Sequence, residues 1–235
     1  MNPQGSNEWL LDRCGNLTSS MIYDAVTPLK SGKESMARRN YRALLVAERL
    51  TNIPQGADLS RIRAIRWGLE QESNARVSYE FKTDREVDIV GFVKHPSILN
   101  GGASPDGLTE VDGLTEYKCP NTATHIEYLR AGIVPEEYRP QMKWQLACTG
   151  RSWCDFVSYD PRLDLRNRLF IIRYEPTQKE IEEIEQDAIE FLQEVDEITA
   201  ELKGEKKIEI IHEQVKEILT ASVNTNLPPT QTGGF

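Results

Sequence analysis

A short stretch in the middle of the chain restricts its fold more than anything else. Ser104-Pro105-Asp106-Gly107-Leu108 sets an aspartate at a turn-forming Pro-Asp-Gly, and ten positions after Asp106 comes Glu116-Tyr117-Lys118. Between them, Val111-Asp112-Gly113 is a hairpin signal, so the two segments are expected on adjacent strands. Side chains two apart on a strand share a face. Glu116 and Lys118 then project side by side, with Asp106 brought close from the neighbouring strand.

Paired carboxylates beside an ammonium are the groups that metal-assisted phosphodiester hydrolysis uses. Carboxylate oxygens hold hard divalent cations, and a lysine orients or polarises the attacking water. A third carboxylate is expected from the preceding helix, where Glu70 and Glu72 both lie. Other centres are poorly represented. Cys14, Cys119, Cys148 and Cys154 show no CxxC spacing and read as free thiols of a reducing compartment. His95, His125 and His212 have no metal-ligand spacing, which argues against a histidine-based zinc hydrolase. His125, in the loop after the strand, reads as an ordinary surface histidine, with contact to DNA as the alternative. Ser31-Gly32-Lys33 lacks the earlier glycine of a phosphate-binding loop, so no ATP requirement is expected.

The net charge of -9 hides a strong asymmetry. From Glu175 to Glu217 there are 15 acidic and 5 basic residues, whereas Lys30 to Arg85 holds 12 basic and 7 acidic ones. Local charge governs contact with phosphates, so a nucleic-acid partner is compatible with the acidic total. No run of eighteen apolar residues exists, so no helix is expected to span a membrane. The polar segment Met1 to Glu8 lacks the apolar stretch of a signal peptide.

Along the chain, Trp9 to Leu17 leads to a helix start at Thr18-Ser19-Ser20, whose hydroxyls are candidates to cap free amides. Tyr41, Leu44, Leu45 and Leu50 recur at roughly helical spacing over 34–50 until Asn52-Ile53-Pro54-Gln55-Gly56 breaks the pattern. A second helix is expected over 59–79, with Ile62, Ile65, Leu69 and Val77 near one face. Val87 to Val93 reads as a strand, Leu99-Asn100-Gly101-Gly102 as a turn, and Ala103 to Leu108 as the beginning of the next strand. Helices follow over 124–131 and 140–149, then strands over 153–159 and 169–174, the second apolar enough to be buried. Ile181, Ile184, Ala188, Phe191, Val195, Ile198 and Leu202 alternate spacings of three and four, the stripe of a helix packed on its own domain. Gly204 is expected to end it. Ile208 to Leu219 is a candidate short helix, and Ala221 to Phe235 reads as a disordered tail. The sum is an α/β fold: a mixed central sheet flanked by helices, with a long C-terminal helix. One domain over 1–203 and an extension over 204–235 are expected.

Six segments in order resemble the phage lambda-type exonuclease family, the YqaJ-like viral recombinases within the PD-(D/E)xK nuclease superfamily. They are Trp9-Leu10-x-x-Arg13 with Thr18-Ser19-Ser20; Gly68-x-x-x-Glu72-x-x-Ala75-Arg76; Ser104-Pro105-Asp106-Gly107-Leu108; Gly113-Leu114-x-Glu116-x-Lys118-Cys119-Pro120; Tyr138-x-x-Gln141-x-x-x-Gln145; and Tyr159-Asp160-Pro161-Arg162. The resemblance covers roughly residues 9–200.

It implies roles for individual residues. Asp106, Glu116, Glu72 and the backbone carbonyl of Tyr117 resemble the ligands of two Mg2+ ions, with Mn2+ as a substitute. Lys118 resembles the residue that activates the water, and Gln141 and Gln145 the glutamine pair beside the site, Gln141 as a catalytic residue and Gln145 as a DNA contact. Arg13, Thr18, Ser20 and Ser104 resemble the pocket for a 5′-phosphate. The implied activity is digestion of one strand of duplex DNA from its 5′ end to mononucleotides, leaving a 3′ overhang for recombination. The implied partners are double-stranded DNA ends, two further copies of the chain in a toroidal homotrimer, and a single-strand annealing protein. The implied location is the cytoplasm of a bacterial host, with a phage or prophage origin. An endonuclease of the same superfamily, of restriction or junction-resolving type, and a non-catalytic DNA-binding protein are the alternative readings.

Overall fold

The computed structural model describes residues 1–27, 32–55 and 63–205, except for the side chains of 63–66, 68 and 69. The expected start of the second helix, the apolar face built on Ile62, Ile65 and Leu69, the short helix over 208–219 and the tail lie outside the described residues. The chain divides into two units, Met1–Val195 and Asp196–Phe235.

The first unit is built on a five-stranded sheet. Its strands are β2 (Val87–Asp88), β5 (Gly107–Thr109), β6 (Gly113–Lys118), β7 (Trp153–Tyr159) and β8 (Leu169–Tyr174), side by side in that order. β6 and β7 are parallel and the other neighbours antiparallel. A parallel pair needs a long crossover, and α5 (Thr122–Ala131) and α6 (Arg139–Thr149) supply it. Helix α4 (Arg63–Thr83) covers the other face.

The two-residue period of the strands sorts the core. Leu114, Cys154 and Phe156 pack with Tyr128 of α5 and Met142 and Leu146 of α6. Tyr117, Val157 and Tyr159 point the opposite way, onto Ala75 and Tyr79 of α4. Glu116 and Lys118 have the parity of Leu114, so they lie on the α6 face.

A second, three-stranded sheet is made of β1 (Leu17–Thr18), β4 (Gly101–Ala103) and β3 (Val93–Lys94), with β4 in the middle. It rests on α6: Trp144 donates its indole N–H to the Gly102 carbonyl at 3.0 Å. A Cβ on Gly101 would stand 2.8 Å from the same indole, so only glycine fits there. Helices α1 (Asn7–Arg13), α2 (Ile22–Val26) and α3 (Met36–Thr51) complete the unit with the part of α7 (Gln178–Lys203) that runs to Val195.

The fold class is the expected one, with local corrections. Val87 to Val93 is not one strand: β2 joins the large sheet and β3 the small one. Gly101 and Gly102, expected in a turn, form a strand. Residues 7–13 are helical, capped by Ser6, whose side chain accepts from the Trp9 amide. At Thr18-Ser19-Ser20 a 3-10 turn begins without any side-chain cap, because Thr18 is paired in β1 and its hydroxyl lies near those of Ser20 and Tyr41. β8 is only partly buried because it is an edge strand with one neighbour. The stripe of α7 packs on its own unit as expected, with Ile184, Ala188, Phe191 and Val195 buried. Leu202, beyond the boundary of that unit, is exposed. Gly204 follows the helix with φ +77°, a left-handed stop.

Candidate active site

The hairpin delivers the geometry its spacing predicts. Gly107 pairs with Thr115 and Leu108 with Leu114, so the register carries Asp106, at the entry to β5, across from Glu116 and within reach of the next amide. Its Oδ2 accepts the Tyr117 N–H at 2.8 Å. Glu116 is buried, and Lys118 donates to its Oε1 at 2.5 Å. Gln141 donates to the same oxygen at 2.6 Å and Gln145 to Oε2 at 2.7 Å. The two glutamines are four apart on α6 and so share a face. Lys118 also reaches Gln141 Oε1 at 3.4 Å and stands 4.8 Å above the Tyr138 ring.

Three carboxylates feel one another here. Burial, then the charges of Glu116 and Glu72, push Asp106 well above the ordinary aspartate range. Glu72 of α4 is raised by burial and by Glu116, with Lys118 and Arg76 opposing. Burial works against the charge of Lys118, but Glu116 and Asp106 outweigh it and hold the ammonium above its usual value. Uncompensated negative charge held close together is what a divalent cation neutralises.

The donor set fits such an ion: carboxylate oxygens suit Mg2+ or Mn2+. The fit is not ready-made. Among the described residues no three His, Cys, Asp or Glu side chains converge closely enough to hold an ion. Glu116 accepts two bonds at Oε1, from Lys118 and Gln141, and one at Oε2, from Gln145, so Oε2 keeps a lone pair through which it would coordinate an ion. Beside the carboxylates lies a cavity of about 350 Å³ lined by Glu72, Ser73, Arg76, Asp106, Tyr117 and Gln4.

The candidate phosphate residues also come together. Arg13 donates to Ser20 Oγ at 3.1 Å, and Ser20 Oγ lies 3.5 Å from Thr18 Oγ1. The Arg13 guanidinium stacks on Trp9, 4.2 Å from the ring centroid, and Trp9 Nε1 donates to Ser104 Oγ at 2.9 Å. Ser104 stands two residues before Asp106, so one loop carries a member of each cluster.

Two contributors went unassigned in the sequence reading. Trp9 sits four residues before Arg13 on one helix, and that spacing was a usable signal for the stack. Gln4 donates to the carbonyls of Val90 at 2.9 Å and Pro105 at 2.8 Å, bracing the Asp106 loop from a distance that no local pattern reveals. His125 is a correction. It is fully buried on α5, held by Ser158 Oγ and the Asn167 carbonyl at 2.7 Å each, so it is not a surface group facing DNA.

An α/β sheet with carboxylates on paired strands, a lysine two residues after one of them and a glutamine pair overhead suits the hydrolysis of a phosphodiester, the chemistry of a nuclease. The comparisons agree: residues 8–152 match the YqaJ-like viral recombinase domain. The chain belongs to that family. It is similar to the alkaline exonuclease LHK-Exo from Laribacter hongkongensis, at 40% identity over 87% of this chain and 100% of that one, with a TM-score of 0.78. The same enzyme solved in complex with dAMP matches with a TM-score of 0.77, at the same identity and coverage. A phage-related exonuclease from Haemophilus somnus 129PT shares the fold at 12% identity, covering 80% of this chain and 96% of that one, with a TM-score of 0.61. Among curated proteins nothing matches. Among the described residues no helix is long and apolar enough to cross a membrane.

Proposed function

We propose that this protein is a metal-dependent exonuclease that enters duplex DNA at a 5′-phosphorylated end and digests that strand 5′ to 3′. The observation that carries the reading is the loop from Ser104 to Asp106, which joins the Arg13 cluster to the carboxylate cluster. A terminal phosphate held by the first would set the adjoining phosphodiester toward the second. A guanidinium with hydroxyls beside it suits a phosphate dianion.

Asp106, Glu116, Glu72 and the Tyr117 carbonyl would hold the metal, Mg2+ with Mn2+ as a substitute. Once bound, the ion supplies Lewis-acid stabilisation of the oxygens that gain charge. Lys118 orients the attacking water and balances the hydroxide that develops there. Gln141 and Gln145 fix the plane of the Glu116 carboxylate. Arg13, Thr18, Ser20 and Ser104 hold the end in register, and phosphate contact alone needs no base readout. The products are mononucleotides and a 3′ overhang, the substrate of a single-strand annealing protein in recombination. A homotrimeric ring around the duplex, in the cytoplasm of a bacterial host, completes the proposal on the strength of the family.

The test is a linear duplex carrying one 5′-phosphate and one 5′-hydroxyl end, incubated with Mg2+ beside a closed circle. Mononucleotides are expected from the phosphorylated strand, with the circle spared. A cut circle moves the assignment to an endonuclease. DNA binding with no hydrolysis in Mg2+ or Mn2+ leaves a binding protein.

A further inference from the structure

Helix α3 grips the segment that links Arg13 to Ser20, through side chains outside the recognised motifs. The Tyr41 hydroxyl accepts the Thr18 N–H at 3.1 Å. Glu48, buried, accepts the Gly15 N–H through Oε2 at 2.7 Å and the Gln55 N–H through Oε1 at 2.8 Å. Arg49 Nε donates to the Gly15 carbonyl at 2.9 Å. Both polar groups of Gly15 and the amide of Thr18 are therefore tied to one helix. The grip is tight: Gly15 has φ +71°, and a Cβ there would lie 2.9 Å from Arg49 Cγ. Tyr41 is itself locked, its ring stacked on Phe191 of α7 at 5.6 Å and 17°.

The held segment has little structure of its own beyond the two residues of β1, so its path is set by what it is bonded to. Arg13 lies at one end of it and Thr18 and Ser20 at the other. A shift of an ångström at Gly15 would part the guanidinium from the hydroxyls it must join around a phosphate.

Glu48 has a second effect. Burial disfavours the Arg13 cation and lowers its pKa, while the charge of the Glu48 carboxylate opposes that shift. Glu48 spends its oxygens on the amides of Gly15 and Gln55, so it supports the guanidinium without capping its N–H groups. A direct bidentate ion pair would instead fill the fork that an incoming anion needs.

We propose that Tyr41 and Glu48 are positioning residues of the 5′-phosphate pocket. By fixing Gly15 to Thr18 they make Arg13, Thr18 and Ser20 converge, and so set the preference for a phosphorylated end. The inference rests on the pocket reading above.

The test uses the full chain and compares initial rates on duplexes with 5′-phosphate and 5′-hydroxyl ends. Tyr41→Phe keeps the ring stack but leaves the Thr18 amide unpaired. It is expected to lower the phosphate-to-hydroxyl ratio by about tenfold, mainly through KM for the phosphorylated end. Glu48→Gln turns a donor toward the Gly15 or Gln55 amide and should act in the same direction. In an Arg13→Ala background Tyr41→Phe should lower the ratio much less, since the guanidinium that Thr18 and Ser20 are held to meet is gone. An unchanged ratio in Tyr41→Phe overturns the inference, as does an equal loss with and without Arg13. If Glu48→Gln does not fold, Tyr41→Phe decides alone. A ratio of one in the unaltered protein, with hydrolysis intact, removes the pocket itself and this inference with it, and is distinguishable from both variant outcomes.

Discussion

Gln145 donates its side-chain amide to Glu116 Oε2 at 2.7 Å while its own Oε1, buried, has no partner among the described residues. A buried acceptor left unpaired costs free energy, so stability alone does not explain a glutamine at this position. What the arrangement secures is the orientation of Glu116. Gln145→Leu removes the donor and leaves a buried carboxylate oxygen bare. We expect a loss of about 1–3 kcal/mol in urea denaturation, together with hydrolysis that recovers only at higher Mg2+. Gln141→Leu, at a partly exposed position, should cost less stability and comparable activity. Equal stability for Gln145→Leu and the unaltered chain would count against this account.

Asp106 sits where burial, Glu116 and Glu72 all oppose its charge. Asp106→Asn keeps an oxygen for the Tyr117 amide and removes the repulsion. In EDTA this variant should be more stable than the unaltered chain, by about 0.5–2 kcal/mol. Mg2+ should raise the Tm of the unaltered chain, as any ligand selective for the folded state does, and should leave Asp106→Asn unmoved and inactive. Thermal melts with and without the ion check both halves. A destabilised variant in EDTA would show that the carboxylate cluster carries no strain.

The sequence revealed the site wherever its periodicity coincided with the geometry that matters. Period two put Glu116 and Lys118 on one face, and a spacing of four put Gln141 and Gln145 on another, facing them. The alternating spacing from Ile181 to Val195 likewise told which side of α7 packs. Two-residue strands have no period to detect, so β2 and β3 merged into one. Apolar content in Leu169–Tyr174 could not reveal that the strand has a neighbour on one side only. Tyr41 and Glu48 looked like ordinary helix residues because their partners, Thr18 and Gly15, belong to a segment placed by tertiary contacts.

His95 yields a pH dependence with a defined sign. It is buried and stacked on Trp144, with centroids 5.1 Å apart. Its Nδ1 accepts from the Ser97 and Ile98 amides at 3.2 and 3.0 Å, so the proton sits on Nε2, which donates to Glu185 at 3.0 Å. A second proton on Nδ1 would face two donors. Burial lowers the pKa below the ordinary 6.5, with Glu185 opposing. As pH falls through 6.5 the unfolded chain takes up a proton that the folded chain refuses. The stability present above that pH should therefore decline until pH drops below the folded-state value. Urea denaturation from pH 8 to pH 5 should show the decline, and His95→Gln should flatten it. A slope unaltered by His95→Gln would assign the effect to other groups.

His125 separates structure from DNA contact. Both ring nitrogens are engaged at 2.7 Å, and the acceptor at Nε2 is a carbonyl, so Nε2 carries the proton. Ser158 lies on the interior strand β7 and Asn167 in the loop before β8, so the imidazole ties α5 to both. His125→Ala empties a buried site and strands two polar groups, the Ser158 hydroxyl and the Asn167 carbonyl. The cavity and the lost hydrogen bonds together should cost about 3 kcal/mol. No atom of the side chain is available to a ligand in the folded chain. At a temperature where the variant remains folded, its affinity for duplex DNA by fluorescence anisotropy should match that of the unaltered protein. Weakened DNA binding with unchanged stability would return His125 to the nucleic-acid surface; lost stability with unchanged binding fixes it as the pin that holds the α5–α6 crossover against the sheet.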